Sequence, residues 1–258
     1  PPDPTTRPWS SAASDVYKRQ AREIGAESVL AAETGDVKML FGLGPAFVEN
    51  PPDIRMERML GTLSPAIETI RWGEQIHGRL IASLARHPGE ELHGAVSIGR
   101  CDGLMTAEAG IGLVVWTADC VPILMVGGGV VAAIHSGWRG AEHDILGAAV
   151  KRFRAEYGVP ASQIEAFLGP SISGTQYPVG PEVIEALARY EIDDATWRHG
   201  DHVDLRRFLD CRLQDLGLRR EAISRIGPCT ASSPQLASYR RDGTRAGRQF
   251  SLVYRAVC

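Results

Sequence analysis

Two spacings of apolar residues run through the chain. Short runs rich in Val, Ile and aromatic residues, bounded by turn formers, predict strands at 37–41, 66–72, 80–84, 111–117, 121–126, 130–134, 164–168 and 222–226. Apolar positions three and four apart predict helices at 54–60, 141–157, 181–190 and 205–216. In the second of these Ile145, Ala148, Ala149 and Phe153 share one face, and Gly158 ends the helix. Pro181 suits a first helical turn, Asp53 and Asp204 read as caps, and Gly217 reads as a stop. GEQIHG places Gln75 and His77 in a loop, residues 87–91 form a polar turn, and CDGLMT turns on Asp102 and Gly103. Residues 236–239 and 249–254 flank the polar loop RRDGTRAGR.

The densest pattern is 121–134, two apolar β runs around Gly127, Gly128 and Gly129. Glycines take the positive φ angles that a tight hairpin turn requires. If the turn centres on Gly128, facing residues have numbers summing to about 256. Cys120 then lies opposite Ser136 and one step from His135, so a thiolate and an imidazole meet at the mouth of the hairpin. Strands and helices are intermixed without strict alternation, and no repeat or long linker divides them. This predicts an α+β chain, with mixed β-sheets flanked by helices in a single compact domain over 21–258. Residues 1–20 are set aside as a non-native or disordered tail, because SAASDVYKRQ resembles a translated sequencing adapter.

Composition narrows the function classes. The 258 residues suffice for a full core, and 44% apolar and 23% charged residues are ordinary for a globular protein. A net charge of −3 gives no global attraction to nucleic acid or to an anionic membrane. No apolar run approaches the roughly 20 residues of a membrane span. The five cysteines are odd in number, scattered and free of CxxC pairs, which argues for a reducing, cytoplasmic setting. Oligomeric state is not legible.

Three constellations carry chemistry. His77, Cys120 and His135 offer two imidazoles and a thiolate, a set that suits Zn²⁺ and leaves a fourth position open, as in catalytic sites. The same atoms suit two other roles. Cys120 and His135 can act as nucleophile and base, with Asp119 or Asp102 orienting the histidine. With Met105 or Met125 as a distant fourth ligand, the set matches a copper centre. The spacing matches no short zinc motif, and a buried Cys with two satisfied histidines is the plain structural reading. The second constellation is SGWRG before a helix, where Arg139 beside exposed backbone N–H groups suits a phosphate or other anion. The third is Ser238–Arg248: Tyr239, Arg240 and Arg241, with two further arginines, can clamp an anion or stack on a base. A solvated basic loop is the usual explanation of such a run. His87, His93, His143, His199 and His202 need no functional reading.

Taken together, QIHG (75–78), CDGLMT (101–106), TADCVPIL (117–124), HSGWRG (135–140), LGPSISGTQYPVG (168–180), VDL (203–205), CT (229–230) and SYRRDGTRAGR (238–248) resemble the laccase-domain family. Its members were first called multicopper polyphenol oxidases and are now described as zinc-dependent purine nucleoside phosphorylases. The resemblance implies a laccase-domain fold of the CNF-like, cysteine-hydrolase type. It places the metal ligands on His77, Cys120 and His135, with zinc expected and copper as the alternative. It implies phosphorolysis of adenosine, inosine, guanosine and methylthioadenosine, and adenosine deamination. Purine nucleosides and phosphate are then the partners, with the phosphate near Arg139 or the arginines from Arg240 onward. Editing of peptidoglycan precursors by a hydrolase at the same site, and polyphenol oxidation, are the alternative activities. The chain departs from the family at 41–44, where Phe-Gly-Leu-Gly stands in place of a Phe-Ser-x-Arg segment, and an Asn-Leu pair is absent.

Overall fold

A computed structural model describes residues 18–24, 27–43, 52–86 and 93–257. The predicted turn at 87–91 and residues 1–17 lie outside the described residues. Two mixed sheets form the centre. The first has seven strands in the order β1 (Lys18–Ile24), β2 (Glu27–Thr34), β3 (Val37–Gly42), β15 (Gln249–Arg255), β8 (Ile111–Thr117), β4 (Thr69–Glu74) and β6 (Gly94–Arg100). The second has six, in the order β14 (Ile223–Arg225), β11 (Glu165–Leu168), β9 (Val121–Gly127), β10 (Val130–Ser136), β7 (Gly103–Thr106) and β5 (Ile81–Leu84). β12 (Arg198–His199) and β13 (His202–Val203) make a small separate ribbon. β1 begins at Lys18, inside the segment read as a tail, and pairs with β2 from Lys18 opposite Glu33.

The alternation of side chains explains why the central strands are apolar throughout. On β8, Ile111, Leu113 and Val115 join Leu124, Val131 and Ala133 of the second sheet in a core between the sheets. Val114 and Trp116 point the other way, into a core closed by Met56 and Met59 of α1 (Pro52–Leu63). On the second sheet Val121, Ile123, Met125 and Ile134 face a third core. That core is covered by α3 (Ile145–Tyr157), α4 (Pro181–Ala188) and α5 (Leu205–Asp215). Strands buried on both faces lose the apolar–polar alternation of a surface sheet. The result is one compact α+β domain with helices on both outer faces, as the pattern predicted. No helix among the described residues is long and apolar enough to cross a membrane.

Two local expectations are corrected. The helix expected over 141–157 is broken into α2 (Trp138–Glu142) and α3. Asp144 separates them in a left-handed conformation (φ 57°), where its carboxylate caps Gly147 N–H and is held by Arg212 at 3.0 Å. The hairpin turn is not centred on Gly128. It is a two-residue turn, Gly128 and Gly129, with φ of 56° and 77°. Two consecutive positive φ angles match the twist of the flanking strands and favour glycine at both positions. Ser136 therefore faces Val121 rather than Cys120, and Cys120 stands just beyond the ladder.

Candidate metal centre and its cavity

His77, Cys120 and His135 nevertheless converge. Their ligand atoms all lie within 4.8 Å of one another, and Cys120 Sγ is 4.0 Å from His77 Nε2. The two imidazoles stand edge to face, 4.9 Å between centroids. Cys120 and His135 come from the open ends of β9 and β10, so their approach follows from the hairpin. His77 is brought in from the loop after β4, which runs parallel to β8. Gln75 fixes that loop. Its side-chain amide donates to Trp116 C=O and accepts from Trp116 N–H, both at 2.7 Å, extending the ladder beside β8 by one imitation peptide.

Asp102 organises the cluster from beneath. Its fully buried carboxylate accepts from three successive backbone N–H groups, those of Ile76 (3.3 Å), His77 (2.8 Å) and Gly78 (2.7 Å). These bonds hold His77 at φ 59°, a conformation uncommon outside glycine. The same carboxylate accepts from His135 Nδ1–H at 2.9 Å, which leaves Nε2 as that ring's available ligand atom. Burial works against ionisation of Asp102, yet the His135 and backbone hydrogen bonds hold its pKa below the ordinary value. Of the two aspartates considered for orienting the histidine, Asp102 does so. Asp119, at φ 88°, turns away to accept from Thr230 Oγ1–H at 2.6 Å and Arg240 N–H at 2.7 Å.

Without a metal, the cluster forms a thiolate–imidazolium pair. Burial opposes the Cys120 thiolate, but the charge of His135 and hydrogen bonds from both histidines outweigh it and bring the pKa to about 6. His135, whose charged form burial also disfavours, is raised to about 9 by Cys120 and Asp102. A soft thiolate and two imidazoles, one held in a fixed tautomer, are a donor set that fits Zn²⁺. Gly137 fits the same reading: a Cβ there would lie 2.9 Å from Cys120 Sγ and 3.2 Å from His77 Cδ2. Met105 and Met125 are fully buried in the core facing the helices and do not line the cavity, so neither is placed as the fourth ligand of a copper centre.

The cluster opens into a cavity of about 950 Å³. Arg139, Tyr239 and Arg240 line it, whereas Arg241 does not. The Arg139 guanidinium lies 4.3 Å from the Trp138 ring, and that of Arg240 lies 5.2 Å from the Tyr177 ring. Arg241 instead donates to the carbonyls of Thr230, Ser233 and Leu236 and pairs with Asp242, tying the loop down. Tyr239–Asp242 forms a short helix, α6, capped by Ser238, so adjacent arginines point in different directions. Gln75, Thr117, Gly137, Tyr177 and Thr230 had no role in the sequence reading beyond their place in recurring motifs. His143 is exposed at the end of α2, and His202 pairs with Asp201 away from the cluster. Gly42 packs its backbone against Phe250, where a Cβ would lie at 3.0 Å; residues 44–50 lie outside the described residues.

Comparison with known proteins gives a consistent picture. The model of a family described as multi-copper polyphenol oxidoreductase laccase matches residues 45–256. A purine nucleoside phosphorylase of Mycobacterium tuberculosis is 34% identical over 224 residues, covering 83% of this chain and 84% of its own length. One from Streptomyces coelicolor is 33% identical over 219 residues, covering 82% and 86%. Among solved structures, the hypothetical protein YfiH of Bacillus licheniformis superposes with a TM-score of 0.77 at 21% identity, over 93% of this chain and 99% of its own. YlmD of Geobacillus stearothermophilus gives 0.74 at 24% identity, over 93% and 99%.

Proposed function

The chain belongs to the multi-copper polyphenol oxidoreductase laccase family, and from that membership we propose that it is a purine nucleoside phosphorylase whose His77, Cys120 and His135 hold Zn²⁺. The observation that carries this reading is the convergence of a three-ligand cluster and three arginines, Arg139, Arg240 and Arg248, on one cavity. The 34% identity to a protein named purine nucleoside phosphorylase supports it. Bound there, Zn²⁺ would supply Lewis acidity toward a substrate oxygen.

The chain's own residues do the rest. Arg139 and Arg240 hold the phosphate dianion, and the exposed Tyr239 ring at the cavity offers a face on which a purine can stack. Asp119 fixes the backbone of Arg240 and thereby the position of that cation. In the reaction a phosphate oxygen bonds to ribose C1′ as the bond from C1′ to the base breaks. The bonding electrons leave with the base, which takes up a proton, and ribose 1-phosphate remains. Adenosine, inosine, guanosine and methylthioadenosine are the substrates of this reading, with adenosine deamination as a second activity of the same cavity. We place the enzyme in the cytoplasm, where the four described cysteines would stay as the free thiols they are here.

The test is phosphate-dependent release of hypoxanthine from inosine, on protein of measured zinc content, beside Cys120→Ala. Release that requires phosphate and is lost with the metal and with Cys120 supports the reading; one zinc per chain with no release keeps the metal site and rejects inosine as substrate, and no release from any of the four nucleosides rejects the phosphorylase reading. A second reading is favoured by one observation: Cys120, His135 and Asp102 also form a nucleophile, a base and an orienting carboxylate. It makes the chain a hydrolase editing peptidoglycan precursors. Cleavage of such precursors by chelator-treated protein, blocked by iodoacetamide, would establish it; cleavage that needs the metal would not.

A further inference from the structure

The hydroxyl of Tyr177 is a donor at the cavity that the fold itself leaves unused. Tyr177 is half-buried and lines the cavity, and no group among the described residues hydrogen-bonds its phenol oxygen. Its position is nevertheless fixed. The backbone N–H donates to Gly174 C=O at 3.2 Å, the C=O accepts from Val203 N–H at 3.1 Å, and the ring packs against the core that the helices cover. Arg240 leans on the same segment: its guanidinium lies 5.2 Å from the ring centroid and donates to Pro178 C=O at 3.1 Å. Burial pushes the phenol up most and the charges of Cys120 and Asp119 add to it, while Arg240 and Arg139 oppose; the result is about 12. The hydroxyl therefore stays protonated through the neutral range, with Cys120, Asp119 and both arginines acting on it. It needs an acceptor. Asp119 is already engaged by Thr230 Oγ1–H and Arg240 N–H, so that acceptor comes with a ligand.

We propose that Tyr177 is a phosphate-binding residue, its phenol O–H donating to an oxygen of the phosphate that Arg139 and Arg240 hold. This rests on the phosphorylase reading. An anion drawn to the two guanidinium groups meets a hydroxyl that both of them influence. A hydrogen bond from that hydroxyl to a charged oxygen is about twice as strong as one to a neutral acceptor. The purine and the ribose hydroxyls are neutral and gain less from the same donor. Arg240 then serves twice, as a charge on the anion and as the cation packed on the Tyr177 ring.

The test is Tyr177→Phe, which removes the oxygen and keeps the ring beside Arg240. Two measurements are made on zinc-loaded protein. The first is the melting temperature against inorganic phosphate, at ionic strength held constant with chloride, which gives Kd without any turnover. The second is KM for phosphate and for inosine. The variant should bind phosphate about 10–100-fold more weakly, the scale of one hydrogen bond to a charged group, with KM for phosphate rising in parallel. KM for inosine should change by at most about twofold. The phosphate-free melting temperature should match wild type, because the hydroxyl has no partner to lose. Equal stabilisation of both proteins by phosphate, or a rise in KM for inosine in place of phosphate, overturns the assignment and leaves the phosphorylase reading intact. A wild type that phosphate does not stabilise also overturns it, whatever the protein does with inosine. Phosphate binding that depends on the hydroxyl, in a protein that cleaves no nucleoside, keeps the anion site and rejects the phosphorylase reading.

Discussion

Replacing Asp102 by Asn keeps its shape and removes its charge and one acceptor. Oδ1 accepts from His77 N–H and His135 Nδ1–H, and Oδ2 from Ile76 N–H and Gly78 N–H. An amide retains one acceptor oxygen and makes the other position a donor, so in either orientation two donors face a donor. If the NH₂ faces His135, the ring must move its proton from Nδ1 to Nε2, and the nitrogen available to a metal is lost. Hydrogen bonds to a charged acceptor contribute about 1.5–3 kcal/mol each, so losing two removes about 3–6 kcal/mol. At about 2–4 °C per kcal/mol for a domain of this size, metal-free Asp102→Asn should melt at least ~6 °C below wild type. Metal affinity should fall about 10–100-fold, read by competition with a chromophoric chelator. The pH dependence follows in sign. Asp102 has a lowered pKa when folded, so its stabilisation is present above the unfolded carboxylate value and lost as pH falls through the folded one. The variant should therefore lose less stability in acid than wild type does. An Asp102→Asn protein that melts with wild type and holds metal equally tightly would refute the argument.

Three further outcomes are expected. Gly137 has φ −83° and ψ −176°, which alanine adopts freely, so Gly137→Ala should act only through its Cβ against Cys120 and His77; metal affinity should drop at least about tenfold with little change in the metal-free melting temperature. In metal-free protein, alkylation of Cys120 by iodoacetamide should rise with pH about a midpoint near 6, well below the ordinary thiol range, and metal should suppress it; a midpoint near 8.5 would contradict the thiolate–imidazolium pair. Arg240→Ala should raise KM for phosphate about tenfold with a smaller loss of stability than Arg241→Ala, because its backbone bond to Asp119 remains and a single side-chain bond, to Pro178 C=O, is lost. Arg241→Ala should instead lower the melting temperature by several degrees, since its guanidinium ties four carbonyls of the 230–236 segment; a KM effect without a stability effect there would reverse the assigned roles.

What the sequence alone determined were the features set by neighbours along the chain. The strand of 111–117, the glycine hairpin, the Asp204 cap of α5 and the Gly158 stop of α3 all rest on periodicity or on one turn of backbone. Cys120 and His135 were legible for the same reason, because a hairpin brings its two ends together whatever else the chain does. Even there the register was off by one residue, since the run of three glycines does not say which two carry positive φ. Tertiary structure decided the rest. His77 joins the cluster only because β4 runs beside β8, and Asp102 becomes its organiser only when three amides from another loop turn onto one carboxylate. Asp119 meets Thr230, 111 positions away, and Arg240, 121 positions away. Arg240 and Arg241 look alike as a basic run and differ in surroundings, because a single turn of helix leaves Arg240 lining the cavity, against Tyr177 and Pro178 C=O, and turns Arg241 onto the carbonyls of the 230–236 segment. Hydrophobic period is a property of a few consecutive residues, whereas the meeting of distant polar groups depends on how the sheets stack, and no local pattern encodes that.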